Sequence, residues 1–425
     1  MKKLLLKILQ ARAKAVMTEF KPTVVAVTGS VGKTSTREAI ALALAGSFAV
    51  RTPQKNYNNE FGLPLAILGE ASPGKNPVKW LGLLVRSFNI KKYPNMLVLE
   101  YGADKRGDIG TLCDIAEPDV AVITAISPVH VANYRSLDEL VLEKQTLAMR
   151  TSNEGLVVLN ADDATVAAMQ TSIVTPITTY GIDDAADVVA GDIIVTTKPT
   201  ISTRALVRVG AEEAELVLDN CLGRTSVSAC LAALAVAKYF KIELNDAVAR
   251  LNKGVKPMPG RLNPLAGIKQ TLIIDDTYNA APASVAAALE VLHGFVPRHD
   301  LSSKGNRRIA VLGKMAELGN LSMSEHEAVG KQVAEVANIF IAVGEEMKAA
   351  VAAAKMAGMK CGDVVWFATP TEAGRWLDAN IETGDIVLVK GSQSARMEKA
   401  VRDVLAEPLR SSELLVRQER YWLRR

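Results

Sequence analysis

The sequence predicts an α/β protein made of two mostly parallel sheets in succession, and three observations predict it. Short β-branched runs alternate with helical stretches from residue 22 onward. Most of these runs end in polar residues or glycine, as parallel strands do where they hand over to a loop. A stretch with two prolines and two glycines, KGVKPMPGRLN at 253–263, separates a first such series from a second. With 425 residues, 49% of them hydrophobic, the chain has material for more than one core.

In order, residues 1–20 read as an amphipathic helix whose bases Lys2, Lys3, Lys7, Arg12 and Lys14 face one acid, Glu19. Lys7 interrupts the leucine run, so the segment is not a signal peptide. Such a helix either docks on its own domain or rests on an anionic membrane surface. Strands are expected at 23–28, 96–100, 120–124 and 155–160, with a helix after the first through Leu44 and others at 137–149 and 226–240. Residues 187–219, rich in Val and Thr, suggest hairpins at a sheet edge. The second series places strands at 271–274, 308–312, 339–343, 364–367 and 386–389. The expected division is a helix at 1–21, a first domain at 22–260 and a second at 261–425. A net charge of +4 gives no basis for nucleic acid as a partner. Cys113, Cys221, Cys230 and Cys361 form no C-x-x-C pair and read as reduced cysteines of a cytosolic protein. No apolar run has the ~18 residues of a membrane span.

The strongest chemical signal is Thr28-Gly29-Ser30-Val31-Gly32-Lys33-Thr34-Ser35. A strand enters a glycine turn and Gly-Lys-Thr-Ser opens a helix, so backbone N–H groups and the helix dipole can cradle phosphates. Lys33 would reach the β- and γ-phosphates of a bound nucleotide and the Thr34 hydroxyl would ligate Mg²⁺. Val27 stands where the general pattern has its first glycine. Glu100 and His130 follow later strands and fall on the same carboxyl edge, where a carboxylate and an imidazole suit a divalent metal. Lys144 shares a helical face with Leu137, Leu140, Val141, Leu147 and Ala148. Either its stem snorkels, or its amine is desolvated and neutral and can react with CO₂ to a metal-binding carbamate. In the second series, Asp275-Asp276-Thr277-Tyr278-Asn279 and Lys390-Gly391-Ser392 again set polar groups at strand ends. A plain Asx turn is an alternative for Asn279, but accounts less well for the whole first cluster.

Taken together, TGSVGKTST (28–36), NYNNEFGLPLAIL (56–68), LEYGADKRGDI (99–109), VITAISPVHVANYRSLDELVLEK (122–144), DDTYNAAPASVAAALEVL (275–292), AVLGKMAELG (310–319) and VKGSQSARME (389–398) resemble the Mur ligase family, and within it the branch that handles D-alanyl-D-alanine. The resemblance implies a P-loop domain with a mostly parallel sheet followed by a Rossmann-like domain. It implies ATP-dependent amide ligation through an acyl phosphate, joining D-Ala-D-Ala or a similar amino acid or dipeptide to a muramoyl-peptide carboxylate in peptidoglycan precursor synthesis. Lys33, Thr34 and Glu100 would then hold phosphates and one Mg²⁺. His130 would hold a second, bridged by carbamylated Lys144. Arg261, Asp276 and Asn279 would meet ATP on domain closure, and Asn56, Asn58 and Asn59, with Lys390 and Ser392, would face substrate. Other readings of the same fold are a folylpolyglutamate-synthetase-like ligase, or a non-catalytic nucleotide-binding partner in a cell-wall complex.

The family's usual uridine-binding first domain has no counterpart in this sequence, so the resemblance leaves substrate recognition to another surface or a partner chain. Thr225, Ser226 and Ala229 replace the usual adenine-side residues, Lys314 a usual Asp, and Gln393 a usual Arg. Residues 79–92 add a second basic amphipathic stretch. With residues 1–20, it would bring a cytoplasmic enzyme to the inner face of the membrane.

Overall fold

A computed structural model describes residues 2–53, 56–128, 133–134, 136–182, 185–197, 200–295 and 306–423. The first sheet contains β1 (Thr23–Thr28), β2 (Val50–Arg51), β3 (Met96–Glu100), β4 (Val120–Ile123), β5 (Leu156–Asn160), β6 (Ile177–Gly181), β7 (Val188–Thr196), β8 (Ser202–Val209) and β9 (Glu212–Asp219). Their order is β2-β3-β1-β4-β5-β6-β7-β8-β9. Pairing is parallel as far as β7, and β7–β8–β9 form the antiparallel edge expected of residues 187–219. The strands alternate between two cores. Val25, Val27 and Val98 face the helices Lys33–Leu44 and Arg224–Tyr239. Val24, Ala26, Leu97 and Leu99 face the opposite layer, which the helix Lys2–Phe20 completes with Leu9, Ala13 and Val16.

We label the first helices α1 (Lys2–Phe20), α2 (Lys33–Leu44), α3 (Gly62–Leu68), α4 (Pro77–Phe88), α5 (Asp108–Cys113) and α6 (Leu137–Met149). No described helix is long and apolar enough to cross a membrane.

The second sheet is built from β10 (Asn263–Ala266), β11 (Leu272–Asp276), β12 (Arg308–Gly313), β13 (Ile339–Val343), β14 (Val364–Phe367) and β15 (Ile386–Lys390), in the order β10-β11-β15-β12-β13-β14. Only β10 runs antiparallel. Asn263, the last residue of the expected linker, thus opens an edge strand. Its Pro264 is tolerated there because an edge position leaves one side of the strand unpaired. Strands β2 and β6 were not foreseen either, the first being only two residues long.

Helices Ser322–Val336 and Lys348–Met356 cross where Gly330 has no side chain; a Cβ there would lie 2.1 Å from the Ala350 carbonyl oxygen. Gly330→Ala should therefore cost about 1–3 kcal/mol of stability in urea unfolding. Gly362→Ala, where a Cβ meets open space, should stay within about 0.5 kcal/mol. Equal effects would refute this account of the crossing.

Candidate active site

The predicted phosphate loop joins β1 to α2 in the first sheet. Gly29 has φ +142°, and a Cβ on it would come within 2.1 Å of Thr124 Oγ1; Gly32, at φ +87°, caps α2. The end of β4 holds the loop in place. Ser30 N donates to Ala125 O (2.6 Å), Ser30 Oγ to Ser127 O (3.0 Å), and Thr124 Oγ1 to Val31 O (2.6 Å). Lys33 folds back on its own loop, donating to the carbonyls of Gly29 (2.8 Å) and Ser30 (3.2 Å). Burial lowers its pKa, an effect Glu100 opposes. Ser35 lines the cleft beside it.

Glu100 closes β3 and is the centre of the cluster. Oε2 accepts from the Thr34 hydroxyl and Oε1 from Asn58 Nδ2, each at 2.9 Å, and Arg37 Nη1 stands 3.8 Å away. Burial pushes this carboxyl up, but Lys33, Asn58, Arg37 and Thr34 together leave it below its ordinary value. Arg37 was missed from sequence. Its guanidinium is buried, donates to Glu38, and leaves Nε and Nη1 without hydrogen bonds. Its position on α2, one turn past Lys33 and Thr34, was the available signal.

The second sheet reaches into the same cleft. Arg261 Nη2 donates to Thr34 Oγ1 (3.2 Å), and its guanidinium lies 4.2 Å from the centre of the Tyr278 ring. Asn56 bonds the Tyr278 hydroxyl. Asn59 does not join them: its Oδ1 accepts from the N–H groups of Phe61 and Gly62 and shapes the start of α3. Asp276 accepts from Leu262 N (3.2 Å) and from the buried Lys390 ammonium (2.6 Å), which also donates to Asn279 O (2.9 Å). Ser392 is buried and bonds Ser394. Arg417, unanticipated, fixes this corner by donating to the carbonyls of Thr277 and Tyr278 and pairing with Glu398. The resulting cleft of ≈ 320 Å³ has the phosphate loop on one wall and Arg261, Asp276, Asn279 and Lys390 on the other.

Helix α6 has the expected bounds but is turned slightly from the expected face. Leu140, Glu143, Lys144, Leu147 and Ala148 are buried, whereas Leu137 is 40% exposed. Glu143 earns its burial by accepting from Gly107 N and Ile109 N, both at 2.7 Å, at the start of α5. Lys144 does not snorkel. It is 2% exposed and has no hydrogen bond or ion pair among the described residues. Burial, with Lys33 adding to it, lowers its pKa to about 7. His130 lies outside the described residues.

A loop, a buried carboxylate and a cross-sheet arginine in one cleft match a known architecture. The Mur ligase middle domain matches residues 27–237, and the Mur ligase, glutamate ligase domain, matches 260–393. A UDP-N-acetylmuramoyl-tripeptide–D-alanyl-D-alanine ligase of Mycobacterium leprae (strain TN) is 30% identical over 418 residues, with 92% of this chain and 76% of that one covered. The chain belongs to the Mur ligase family. The ligase of the same description from Bacillus subtilis (strain 168) is 28% identical over 401 residues, covering 94% of this chain and 80% of its own. Among solved structures, MurF ligase from Thermotoga maritima in complex with ADP superposes with a TM-score of 0.77 at 25% identity, covering 94% of this chain and 83% of that one. A Mycobacterium tuberculosis folylpolyglutamate synthase shares the fold at 15% identity and a TM-score of 0.62, covering 92% and 94%.

In this Mur ligase the unusual residues are accommodated locally. Lys314 pairs with Glu346 (2.8 Å), while Thr225, Ser226 and Gln393 line the cleft. Asp275, fully buried, ties the chain approaching Arg261 to β11: it accepts from Gly260 N (2.9 Å), Thr277 N (3.2 Å) and Thr277 Oγ1 (2.6 Å). Burial pushes its carboxyl up to about 6 despite these bonds. The folded chain therefore binds this proton more readily than the unfolded one. The group's contribution to stability is full below about pH 4 and is lost as pH rises through about 6. Asp275→Asn should accordingly cost more at about pH 4.5 than at about pH 8, by on the order of 2 kcal/mol. Urea unfolding at both pH values measures the gap, and its absence would mean the carboxyl is charged throughout.

Proposed function

We propose that this Mur ligase uses ATP to join D-alanyl-D-alanine, or a similar amino acid or dipeptide, to a muramoyl-peptide carboxylate. The observation that carries the reading is Arg261, two residues before the second sheet, on the Thr34 hydroxyl, beside Glu100. It brings both halves of the molecule to the phosphate loop, where an acyl-transfer cleft must close. The relatedness to D-alanyl-D-alanine ligases across nearly the whole chain supports the choice of amine.

In this reading the N–H groups at the start of α2 and Lys33 receive the ATP phosphates, Lys33 exchanging its two loop carbonyls for phosphate oxygens. The Thr34 hydroxyl and Glu100 carboxylate are hard oxygen donors at hydrogen-bond distance and fit Mg²⁺, which when bound neutralises phosphate charge. The donor carboxylate oxygen attacks the γ-phosphorus and ADP leaves; the amine then attacks the acyl carbon, phosphate leaves, and the amine gives up a proton. Arg261, Asp276 and Asn279 contact the nucleotide, Asn56 and Asn58 face the donor, and Lys390 orders Asp276. Asn59 acts by shaping backbone, while buried Ser392 bonds the Ser394 hydroxyl at the edge of the cleft.

Lys144 has the burial and lowered pKa of an amine that is substantially neutral near pH 7. Its nitrogen can bond CO₂ and release a proton, giving the carbamate that, with His130, would hold a second Mg²⁺. Its substrates place the enzyme in the cytoplasm, with residues 1–20 and 79–92 toward the inner face of the membrane.

Phosphate release should require ATP, Mg²⁺, a muramoyl tripeptide and D-Ala-D-Ala together; no release with any muramoyl peptide would overturn the reading. Turnover without the UDP group would assign recognition to the peptide. Lys144→Ala should lower kcat by roughly 100-fold or more, with partial recovery on adding a short carboxylate. Full activity in that variant would remove the carbamate.

A further inference from the structure

Helices α1 and α4 each bury one face and present an apolar row on the other. In α1, Leu9, Ala13 and Val16 pack inward while Leu4 and Ile8 are exposed. In α4, Leu83 is buried with Trp80 and Leu84 half-buried, and Val78, Leu81, Val85 and Phe88 are all more than half exposed. Those four recur at intervals of three and four residues and form a single stripe. The two rows meet. Arg12, one turn beyond Ile8 on the same side of α1, donates from Nε (2.9 Å) and Nη2 (2.5 Å) to Ser87 O and lies 4.8 Å from the centre of the Phe88 ring. The apolar ridge therefore runs from Leu4 and Ile8, past the Arg12 guanidinium, to Phe88 and along α4.

The charge around this ridge is one-sided. Residues 1–20 and 71–95 together hold ten lysines and arginines against the single acid Glu19, in a chain whose net charge is only +4. The rest of the molecule is thus net acidic. Lys3, Lys7, Lys14, Lys75, Lys79, Lys91 and Lys92 are exposed; Arg86 is engaged by Glu70 (2.7 Å). Two such faces would repel one another, which disfavours a second copy of the chain as the occupant. A narrow apolar ridge flanked by long basic side chains fits a layer with acyl chains beneath anionic phosphates.

We propose that α1 and α4 dock this protein on an anionic phospholipid bilayer. Leu4, Ile8, Leu81, Val85 and Phe88 would enter the interface, and the flanking lysines would lie on headgroup phosphates. The segment between β2 and β3 carries both α4 and the Asn58 that bonds Glu100, so the docking surface and the cleft share one excursion of the chain. The surface stands independently of the ligation chemistry; that it brings a ligase to the bilayer rests on the ligase reading above.

Sedimentation with vesicles tests this with the full chain. Phosphatidylcholine vesicles containing phosphatidylglycerol should carry the protein down, phosphatidylcholine alone should not, and raised salt should release it. Leu81→Ser with Val85→Ser, and separately Lys79→Glu with Lys91→Glu, should each weaken binding about tenfold while leaving thermal midpoint and soluble-substrate phosphate release unchanged. No binding to anionic vesicles, or equal binding to neutral ones, would overturn the proposal. So would concentration-dependent dimerisation that the serine pair abolishes without any vesicle binding. Vesicle binding with no phosphate release on any substrate would instead remove the ligase reading and leave the docking surface standing.

Discussion

Keeping Glu100 charged in a nearly dry position is the constraint around which the rest is arranged. A buried carboxylate is tolerated only when its lone pairs and its charge are met, and four side chains from two separate stretches of chain meet them. The strand β3 places it opposite Val27, one residue before Thr28 and the glycine turn. Helix α2 supplies Thr34, Lys33 and Arg37, and the loop before α3 supplies Asn58. Loss of any one partner would leave the others aimed at a charge less well compensated. The cluster is therefore a structural unit as well as a chemical one.

The same logic links the two sheets. Thr34 donates to Glu100 and accepts from Arg261, so one hydroxyl stands in both halves of the molecule. Arg261 is in turn placed by the Tyr278 ring, Tyr278 by Asn56 and Arg417, and Arg417 by Glu398. Arg417 lies far along the chain, beyond the last strand, yet holds the backbone on which Tyr278 stands. Cleft geometry is consequently set by side chains from elements distant in sequence.

What was legible in sequence follows from range. The buried parallel strands announce themselves by β-branched runs, and the phosphate loop by glycines whose positive φ no other residue adopts easily. Lys144 was legible because helical spacing alone puts it among apolar residues. Glu143 was not, since the amides that compensate it, Gly107 and Ile109, lie more than thirty residues away. Arg37 and Arg417 were hidden for the same reason: a charge reads as solvated until its distant partners are known. Asn59 looked equivalent to Asn58, but a shift of one residue turns its amide from Glu100 to the start of α3.

The order of the second sheet bears on how the molecule is made. Strand β11 pairs at once with its sequence neighbour β10, but its other edge belongs to β15, where Asp276 stands opposite Lys390. Until residue 390 has left the ribosome, β11 presents an open edge, and Asp276 lacks the ammonium that neutralises it. Closing so long a loop is slow, and the exposed apolar strand is adhesive in the meantime. The first sheet has no such delay, because β1 finds β3 and β4 within the first third of the chain. The nascent protein thus acquires its phosphate loop early and the opposing wall of the cleft last.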